Sequence, residues 1–183
     1  MTNTKTNQDL RKAQWNANGL QKELTIFLKQ YSIDILLISE TLFTYKIYFG
    51  IPSYKLCHTT HPDGTAHAGT AIFIKETIQH YELLKYKEDS NQATSIKVRG
   101  FPYETTVAAV YCPPKHNLKK ELFQTFFQTL GPRFIAGGNY NSKHTVWGSR
   151  LTTTKGRETK CHTGTKLLIP INRNANILAY RRQ

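Results

Sequence analysis

The spacing of apolar residues divides the beginning of the chain into a strand, a helix and a second strand. Residues 12–16 are typical of a short strand, and Asn18-Gly19 is typical of the turn that follows it. Apolar residues then recur at i, i+4, i+7 and i+8, which predicts an amphipathic helix over residues 20–30. The run Ile33 to Ser39 is almost entirely apolar, as expected of a strand buried on both faces. This order favours an α/β fold.

The middle of the chain is rich in strand-like segments with no helical spacing between them. These segments are residues 69–74, 80–84, 94–98 and 105–111. We predict that they form a meander of antiparallel strands. Asn117 can cap a helix that runs to Leu130, and a strand over residues 134–137 follows it. Together these elements predict a layered α/β sandwich, with two mixed β-sheets flanked by helices.

A polar loop over residues 137–150 follows the last of these strands. Ligands in open α/β sheets usually bind at the carboxyl ends of strands, so Asn139, Asn141 and His144 are candidates to contact a substrate. The alternative is an ordinary turn, because Asn and Gly are also the residues most common in turns. The loop alone does not decide between these interpretations.

Polar residues follow three other predicted strands in the same way. Asn16 and Asn18 come after the first strand, Glu40 after the second, and Tyr111 after the strand over residues 105–111. Each has a structural interpretation: Glu40 as a surface acid, Tyr111 as a core aromatic, and Trp147 of the polar loop as a packing residue. Only their joint occurrence favours one polar cleft.

The net charge points to an anionic partner. The 183 residues include 25 Lys and Arg against 12 Asp and Glu, a formal charge of +13. Such an excess favours nucleic acid or a membrane surface, although a solvated basic surface without function is the alternative. Acidic residues are scarce towards the C-terminus, since Glu158 is the only one beyond Glu121. Carboxylate chemistry must therefore come from the earlier part of the chain.

Cysteine content and hydropathy exclude several other classes of protein. Three widely spaced cysteines form neither a zinc motif nor a disulfide framework. The N-terminus lacks the apolar segment of a signal peptide, and no run reaches the roughly 18 apolar residues of a membrane span. We expect a soluble, intracellular monomer without a membrane partner.

Five motifs occur in an order that resembles the endonuclease/exonuclease/phosphatase superfamily. They are Gln14 to Leu20, Ser39-Glu40-Thr41, Ala68 to Ile72, Ala109 to Pro114, and Gly137 to Arg150. Within that superfamily the chain is most similar to the endonuclease domain of jockey-type non-LTR retrotransposons of arthropods. The resemblance covers about residues 13–160. Lys143-His144 and the segment Trp147 to Arg150 favour this branch over the apurinic-site repair enzymes.

The resemblance implies a metal-dependent phosphodiesterase site. Glu40 would be the metal carboxylate, and Asn16 would complete the coordination of Mg²⁺, or of Mn²⁺ in its place. Magnesium is usually held by oxygen atoms from one or two carboxylates, water and phosphate. Tyr111 and Asn141 would contact the scissile phosphate. The implied reaction is the hydrolysis of a phosphodiester bond.

The resemblance also implies that the substrate is DNA. The predicted DNA-binding residues are Asn18, Lys143, His144, Trp147 and Arg150. Contacts with phosphate would make binding independent of sequence and sensitive to salt. The resemblance further implies that the domain is part of a polyprotein with a reverse transcriptase. The endonuclease would nick genomic DNA in the nucleus. Phosphoinositide or sphingomyelin substrates, known elsewhere in the superfamily, are disfavoured by the basic charge and by the residues of the loop.

The sequence departs from the family pattern at one catalytic position. Family members have an aspartate at position 139 that orients or deprotonates water, whereas Asn139 cannot accept a proton at neutral pH. Loss of a general base typically lowers the rate by about 10²- to 10⁴-fold. We therefore expect weak or absent turnover. The alternative is a catalytically inactive remnant that only binds nucleic acid.

The C-terminal segment departs from the pattern more extensively. No Asp follows Asp89 and no His follows His162, so the final Ser-Asp-His motif of the family is missing. We divide the chain into a polar tail over residues 1–10, a domain over 11–160, and a divergent tail over 161–183. We expect this last segment to pack poorly, with a short strand at 166–169, and the domain to lack its final strands. A sheet edge would then be uncovered. We hypothesise that a frameshift produced the tail.

Overall fold

A computed structural model describes most of the chain as two β-sheets with three flanking helices. The described residues are 10–17, 23–46, 48–100, 103–116, 120–147 and 149–160, together with the backbone of 167–168 and 176–178. The helices are α1 (Glu23–Gln30), α2 (Lys120–Thr129) and α3 (Thr154–Lys160), and a 3₁₀ turn spans Thr145–Trp147. No helix among these residues is long and apolar enough to cross a membrane.

The first sheet is built largely from the N-terminal part of the chain. Its strands are β1 (Lys12–Asn16), β2 (Ile35–Ser39), β3 (Tyr54–Thr59), β4 (Thr70–Lys75) and β11 (Asn176–Leu178). Their order across the sheet is β11-β1-β2-β4-β3. Strands β1 and β2 are parallel and joined by α1, while β4 is antiparallel to both β2 and β3.

The second sheet holds most of the predicted meander and the strand before the polar loop. Its strands are β5 (His80–Glu82), β6 (Tyr86–Glu88), β7 (Asn91–Val98), β8 (Thr105–Tyr111), β9 (Phe134–Asn139) and β10 (Leu167–Leu168). The order is β10-β9-β8-β7-β5, and β6 also pairs with β7. Strands β8 and β9 are parallel and joined by α2.

The two sheets pack against each other, and residues of their central strands are buried between them. Ile35 and Leu37 contribute to a cluster with Ile96 and Val107 of the second sheet. Leu36 belongs instead to a cluster on the opposite face of β2, which includes residues of α1. Each such buried aliphatic side chain contributes about 1.5–3 kcal/mol. The α2 helix covers the outer face of the second sheet in the same way. The predicted layered sandwich is confirmed.

Most predicted elements are present, with small shifts of their ends. The strands over 12–16 and 105–111 have the predicted bounds, and the described part of the first helix begins at Glu23. Three strands, β3, β6 and β11, and the α3 helix were not predicted. In β3 the buried positions include Thr59, and α3 contains no apolar residue. Neither segment therefore has the apolar periodicity on which the prediction depended.

The C-terminal segment supplies a short strand to each sheet. Leu167–Leu168 pairs with β9, which confirms the predicted strand, and Asn176–Leu178 pairs with β1. We expected a sheet edge without a partner, but the edges formed by β9 and β1 are paired over two and three residues respectively. Our expectation of an uncovered edge was therefore wrong. The N–H and C=O groups of an edge strand can pair with any extended segment close by, and the C-terminal residues supply such segments. The other residues of 161–183 lie outside the described ranges.

Candidate active site at the carboxyl ends of four strands

The site forms where the parallel strand pairs of both sheets end. Asn16 lies opposite Ser39 at the end of β1 and β2, and Tyr111 lies opposite Asn139 at the end of β8 and β9. A hydrogen bond joins the two sheets here, since Nδ2 of Asn139 donates to Oε1 of Glu40 at 2.7 Å. The structure thus brings together residues that are 99 positions apart in the sequence.

Glu40 occupies the centre of this arrangement. Its Oε1 atom accepts a second hydrogen bond from Nδ2 of Asn16, at 3.3 Å. The backbone of Glu40 has a φ of 60°, a left-handed conformation that costs of order 1–3 kcal/mol in a residue with a side chain. The carbonyl of Gly69 stabilises this conformation by accepting the Glu40 N–H at 2.9 Å. Strain of this kind is common at functional sites.

The orientation of the Asn139 amide is fixed by hydrogen bonds at both of its ends. Its Oδ1 accepts the backbone N–H of Asn141 at 2.9 Å, while its Nδ2 donates to Glu40. An aspartate with the same side-chain conformation would place a carboxylate oxygen about where Nδ2 lies. Two carboxylate oxygens at that separation repel each other unless a cation or proton lies nearby. With asparagine at position 139, a hydrogen bond to Glu40 takes the place of the repulsion that an aspartate would cause.

Gly138 allows β9 to approach β8 closely just before Asn139. A Cβ atom at this position would lie 1.8 Å from the carbonyl oxygen of Val110, which is backbone and cannot move aside. This approach is part of the register that places Asn139 opposite Tyr111.

Tyr111 is buried and remains protonated over the physiological pH range. Burial, and secondarily the charge of Glu40, raises the pKa of its phenol to about 12. The hydroxyl is therefore available as a hydrogen-bond donor beside the carboxylate. Asn141 follows in the same region, and its Nδ2 donates to the carbonyl of Cys112 at 3.0 Å. This bond holds the start of the polar loop against the end of β8.

Several buried polar atoms near Glu40 have no protein hydrogen-bond partner among the described residues. Oδ1 of Asn16 and Oγ of Ser39 lie at the strand ends, and both polar atoms of the Gln14 side chain lie on β1. Buried polar groups are almost always paired with protein, water or an ion. The unpaired oxygen of Asn16 is thus available to an additional group next to Glu40.

The predicted DNA-binding residues are distributed unevenly around this site. Lys143 and Arg150 are exposed. His144 is buried, and its Nδ1 accepts the backbone N–H of Val146 at 3.1 Å, so this ring supports the turn. The backbone of Trp147 ends the 3₁₀ turn, but its side chain and the whole of Asn18 lie outside the described part of the structure.

The α3 helix packs against the polar loop at Lys143. A Cβ atom at Gly156 would lie 1.9 Å from the carbonyl oxygen of Lys143, so a glycine is required at this crossing. Thr153 donates its N–H to the same carbonyl at 2.9 Å. Lys155 is buried in the same helix and donates to the carbonyl of Pro113 at 2.7 Å; burial lowers its pKa. The loop is therefore tied to both α3 and the end of β8.

Sequence reasoning missed two groups of residues near the site. One is a buried cluster of hydroxyl groups between the sheets, formed by Thr59, Thr70 and Thr94. Single threonines within strands give no signal that they meet across two sheets. The other group lies in the segment from His61 to His67. Its spacing of His, Asp and His was visible in the sequence and could have been recognised as ligand-like.

Comparison with known proteins identifies the family. The sequence profile of the Endonuclease/Exonuclease/phosphatase family matches residues 13–180. The match extends to residue 180, beyond the boundary at 160 expected from the motifs. The chain belongs to this family.

A similar curated protein is the RNA-directed DNA polymerase from mobile element jockey of Drosophila melanogaster. It is 35% identical over 155 residues, which are 83% of this chain and 17% of that protein. A second jockey protein, from Drosophila funebris, is 30% identical over 146 residues, 78% of this chain and 16% of its own length. The chain thus spans about a sixth of the length of the curated relatives it matches.

Solved structures support the fold. The endonuclease domain of TRAS1, a telomere-specific non-LTR retrotransposon, matches with a TM-score of 0.66 and 22% identity. The match covers 85% of this chain and 71% of that domain. At this identity the similarity demonstrates the shared architecture of two sheets and flanking helices.

Proposed function

We propose that the chain is a Mg²⁺-dependent endonuclease that nicks DNA by phosphodiester hydrolysis, with a rate reduced by Asn139. The observation that carries this proposal is the position of Glu40. A single carboxylate lies where four strand ends meet, with Asn16 and Asn139 donating to it and Tyr111 close enough for its pKa to respond to the charge. By the resemblance to the family, the scissile phosphate would bind at this location.

The residues present fit a magnesium ion. Mg²⁺ prefers oxygen ligands and is usually held by one or two carboxylates together with water and phosphate. Glu40 supplies one carboxylate, and the unpaired Oδ1 of Asn16 supplies a neutral oxygen. The same oxygen ligands suit Mn²⁺. When bound, such an ion polarises the phosphoryl group and stabilises the leaving oxygen.

The neighbouring side chains would orient the phosphate and the attacking water. The protonated Tyr111 hydroxyl can donate to a phosphate oxygen, and the amide of Asn141 can do the same. Asn139 can hydrogen-bond a water molecule but cannot remove its proton. We therefore expect a rate about 10²- to 10⁴-fold below that of a site with an aspartate here.

DNA is the substrate favoured by the net charge of the chain and by the names of its relatives. The net charge of +13 and the exposed Lys143 and Arg150 favour a polyanion. The curated relatives are named RNA-directed DNA polymerases of mobile elements, and the TRAS1 domain is named an endonuclease. In this proposal the chain is the nicking domain of a similar polyprotein with a reverse transcriptase, acting on genomic DNA in the nucleus.

A second candidate is a domain that binds nucleic acid without cleaving it. The observation that favours it is the hydrogen bond from Asn139 to Glu40, which stabilises the carboxylate without any cation. Binding in that case would rest on the basic surface alone and would weaken steeply with salt.

A supercoiled-plasmid nicking assay distinguishes the two candidates. Nicking in Mg²⁺ that stops in EDTA is expected for the wild-type chain. Glu40→Gln keeps the shape of the side chain but removes its charge, and should reduce nicking at least about 100-fold, equivalent to about 2.7 kcal/mol of transition-state stabilisation. The matched control is Glu76→Gln, which changes an exposed carboxylate just beyond the opposite end of β4.

Two outcomes would reject the endonuclease. Wild-type protein that binds DNA but shows no metal-dependent nicking would establish the second candidate. Equal nicking by wild type and Glu40→Gln would show that the activity comes from elsewhere, for example from a contaminating nuclease.

A further inference from the structure

The loop between β3 and β4 brings together three side chains that commonly ligate metals. His61, Asp63 and His67 each present a ligand atom, and all three atoms lie within 4.8 Å of one another. His61 is largely enclosed, with 14% of its side chain exposed, whereas Asp63 and His67 are about half exposed. Among the described residues this is the one such group of His, Cys, Asp and Glu.

The two distances between histidine and aspartate atoms are close to the spacing of ligands around a tetrahedral ion, and each involves a different oxygen of Asp63. Nδ1 of His61 lies 2.9 Å from Oδ1 of Asp63, and Nε2 of His67 lies 3.7 Å from Oδ2. Zinc bonds of about 2.0–2.1 Å at tetrahedral angles place neighbouring ligand atoms about 3.3–3.4 Å apart. The two observed distances lie on either side of that value. Coordination of one ion by all three residues therefore requires movement of these side chains within the loop, where Asp63 and His67 are about half exposed.

Hydrogen bonds from Thr65 orient two of the three ligands. Its backbone N–H donates to Oδ1 of Asp63 at 2.8 Å, and its hydroxyl can donate to the same oxygen at 3.0 Å. With the hydroxyl proton used in this way, Nδ1–H of His67 donates to the Thr65 oxygen at 2.5 Å. Nε2 of His67 then carries the lone pair and faces Asp63. Supporting partners of this kind are typical of metal-binding histidines.

The contact between His61 and Asp63 requires either a proton or a metal ion between the two atoms. The backbone N–H of Asp63 points to Nδ1 of His61 at 3.4 Å, as expected if Nδ1 has a lone pair. A lone pair 2.9 Å from a carboxylate oxygen is repulsive unless a proton or a metal ion lies between the two atoms. A metal ion between them would accept the lone pair of His61 and balance the charge of Asp63.

We propose that His61, Asp63 and His67 form a binding site for Zn²⁺ or a similar late first-row divalent ion. Imidazole nitrogen suits these ions, whereas Mg²⁺ requires oxygen ligands, so this site and the one at Glu40 select different metals. Three protein ligands leave the fourth position to water or to an anionic ligand. The inference does not depend on the proposed endonuclease activity.

The site lies in the loop between β3 and β4, whose last residues also support Glu40. Following His67 directly, Ala68 accepts the N–H of Leu42 at 3.1 Å, and Gly69 accepts the N–H of Glu40. Metal binding at His61, Asp63 and His67 would therefore restrain the segment that holds the strained backbone of Glu40.

Calorimetric titration of Zn²⁺ into the full chain tests the proposal. The protein is prepared without a histidine tag and stripped with chelator, and a stoichiometry of one is expected. Replacing both histidines, His61→Ala with His67→Ala, should weaken binding more than about 100-fold, and Thr65→Val about tenfold. The matched control His116→Gln removes an exposed histidine elsewhere and should change the affinity less than about twofold, since it alters no ligand or supporting partner.

A second measurement needs no variant. Addition of Zn²⁺ to the wild-type chain should shift the ¹⁵N resonances of Nδ1 of His61 and Nε2 of His67, and Co²⁺ in its place should give tetrahedral absorption bands. Absence of both signals, or equal Zn²⁺ affinity in the double variant and the wild type, would overturn the proposal. A proton shared between His61 and Asp63 would then account for the contact.

Discussion

Glu40 and Asp63 are both carboxylates with nitrogen atoms close to their oxygens, but the nitrogens differ in kind. Glu40 accepts from the amide nitrogens of Asn16 and Asn139, which are donors and do not bind a metal. Asp63 lies between two imidazoles, each of which can present a lone pair. The two sites therefore suit different ions, one bound through oxygen and the other mainly through nitrogen.

The two sites are also assembled differently. The residues at Glu40 come from both sheets and meet only because strand register and packing place them together. The residues at Asp63 lie within one short loop, and Thr65 orients them locally. We expect substitutions at the first site to affect catalysis and stability together, and those at the second to act within the loop.

The largest expected effect tests whether the amide at Asn139 limits catalysis. Asn139→Asp introduces a group that can accept a proton from water, and should raise Mg²⁺-dependent nicking by at least about tenfold. We do not expect the full rate of the family, because these 183 residues contain no Ser-Asp-His motif. Initial nicking rates on supercoiled plasmid measure the effect.

Asn16→Asp serves as the matched control, because it adds the same charge beside Glu40 from the other sheet. We expect a smaller gain there. Equal gains from both variants would mean that charge, rather than a base at position 139, limits the reaction.

The second prediction concerns the stability of the same variant. Asn139→Asp replaces the 2.7 Å hydrogen bond to Glu40 with a contact between two carboxylates. Without divalent ions it should lower the free energy of unfolding by about 2 kcal/mol, or the melting temperature by about 4–8 °C. Mg²⁺ should restore more stability to the variant than to the wild type. Thermal unfolding in EDTA and in Mg²⁺ measures both effects, and identical melting curves would contradict our account of Asn139.

The smallest effect concerns the acid titration of Asp63 in the metal-free protein. The backbone N–H of Thr65, with further hydrogen bonds from His61 and Thr65, lowers the pKa of Asp63 to about 2. Because the folded state has the lower pKa, the stabilising contribution is present above the ordinary value near 4 and is lost as the pH falls towards 2. An NMR titration of the side-chain carboxyl carbon should have its midpoint near 2. A midpoint near 4 would show that Thr65 does not hold this carboxylate.

The strand ends that carry the candidate site could be predicted because they follow apolar runs. Glu40, Tyr111 and Asn139 each come at the end of a buried strand, and that pattern is local. The β3 strand could not be predicted in the same way. Its buried residues include Thr59, whose hydroxyl is satisfied by a hydrogen bond to the carbonyl of Ala93 on the second sheet. Such a partner is visible only when the two sheets are packed.

The role of His144 also could not be predicted from the sequence. Its place in the polar loop and its chemistry predict a contact with DNA. In the structure the ring is buried and accepts a hydrogen bond within the turn, so its environment differs from that of the exposed Lys143 beside it. Burial depends on how the turn folds against the rest of the domain, which residue spacing does not report.

The sequence by itself determined the family, the strand-helix-strand beginning, the basic charge and the single carboxylate at position 40. These properties depend on composition and on local order. Only the tertiary structure decided which way the Asn139 amide points and that Oδ1 of Asn16 is left without a protein partner among the described residues. Those features depend on hydrogen bonds between sheets whose residues are up to 99 positions apart, and the register and packing of the strands fix them.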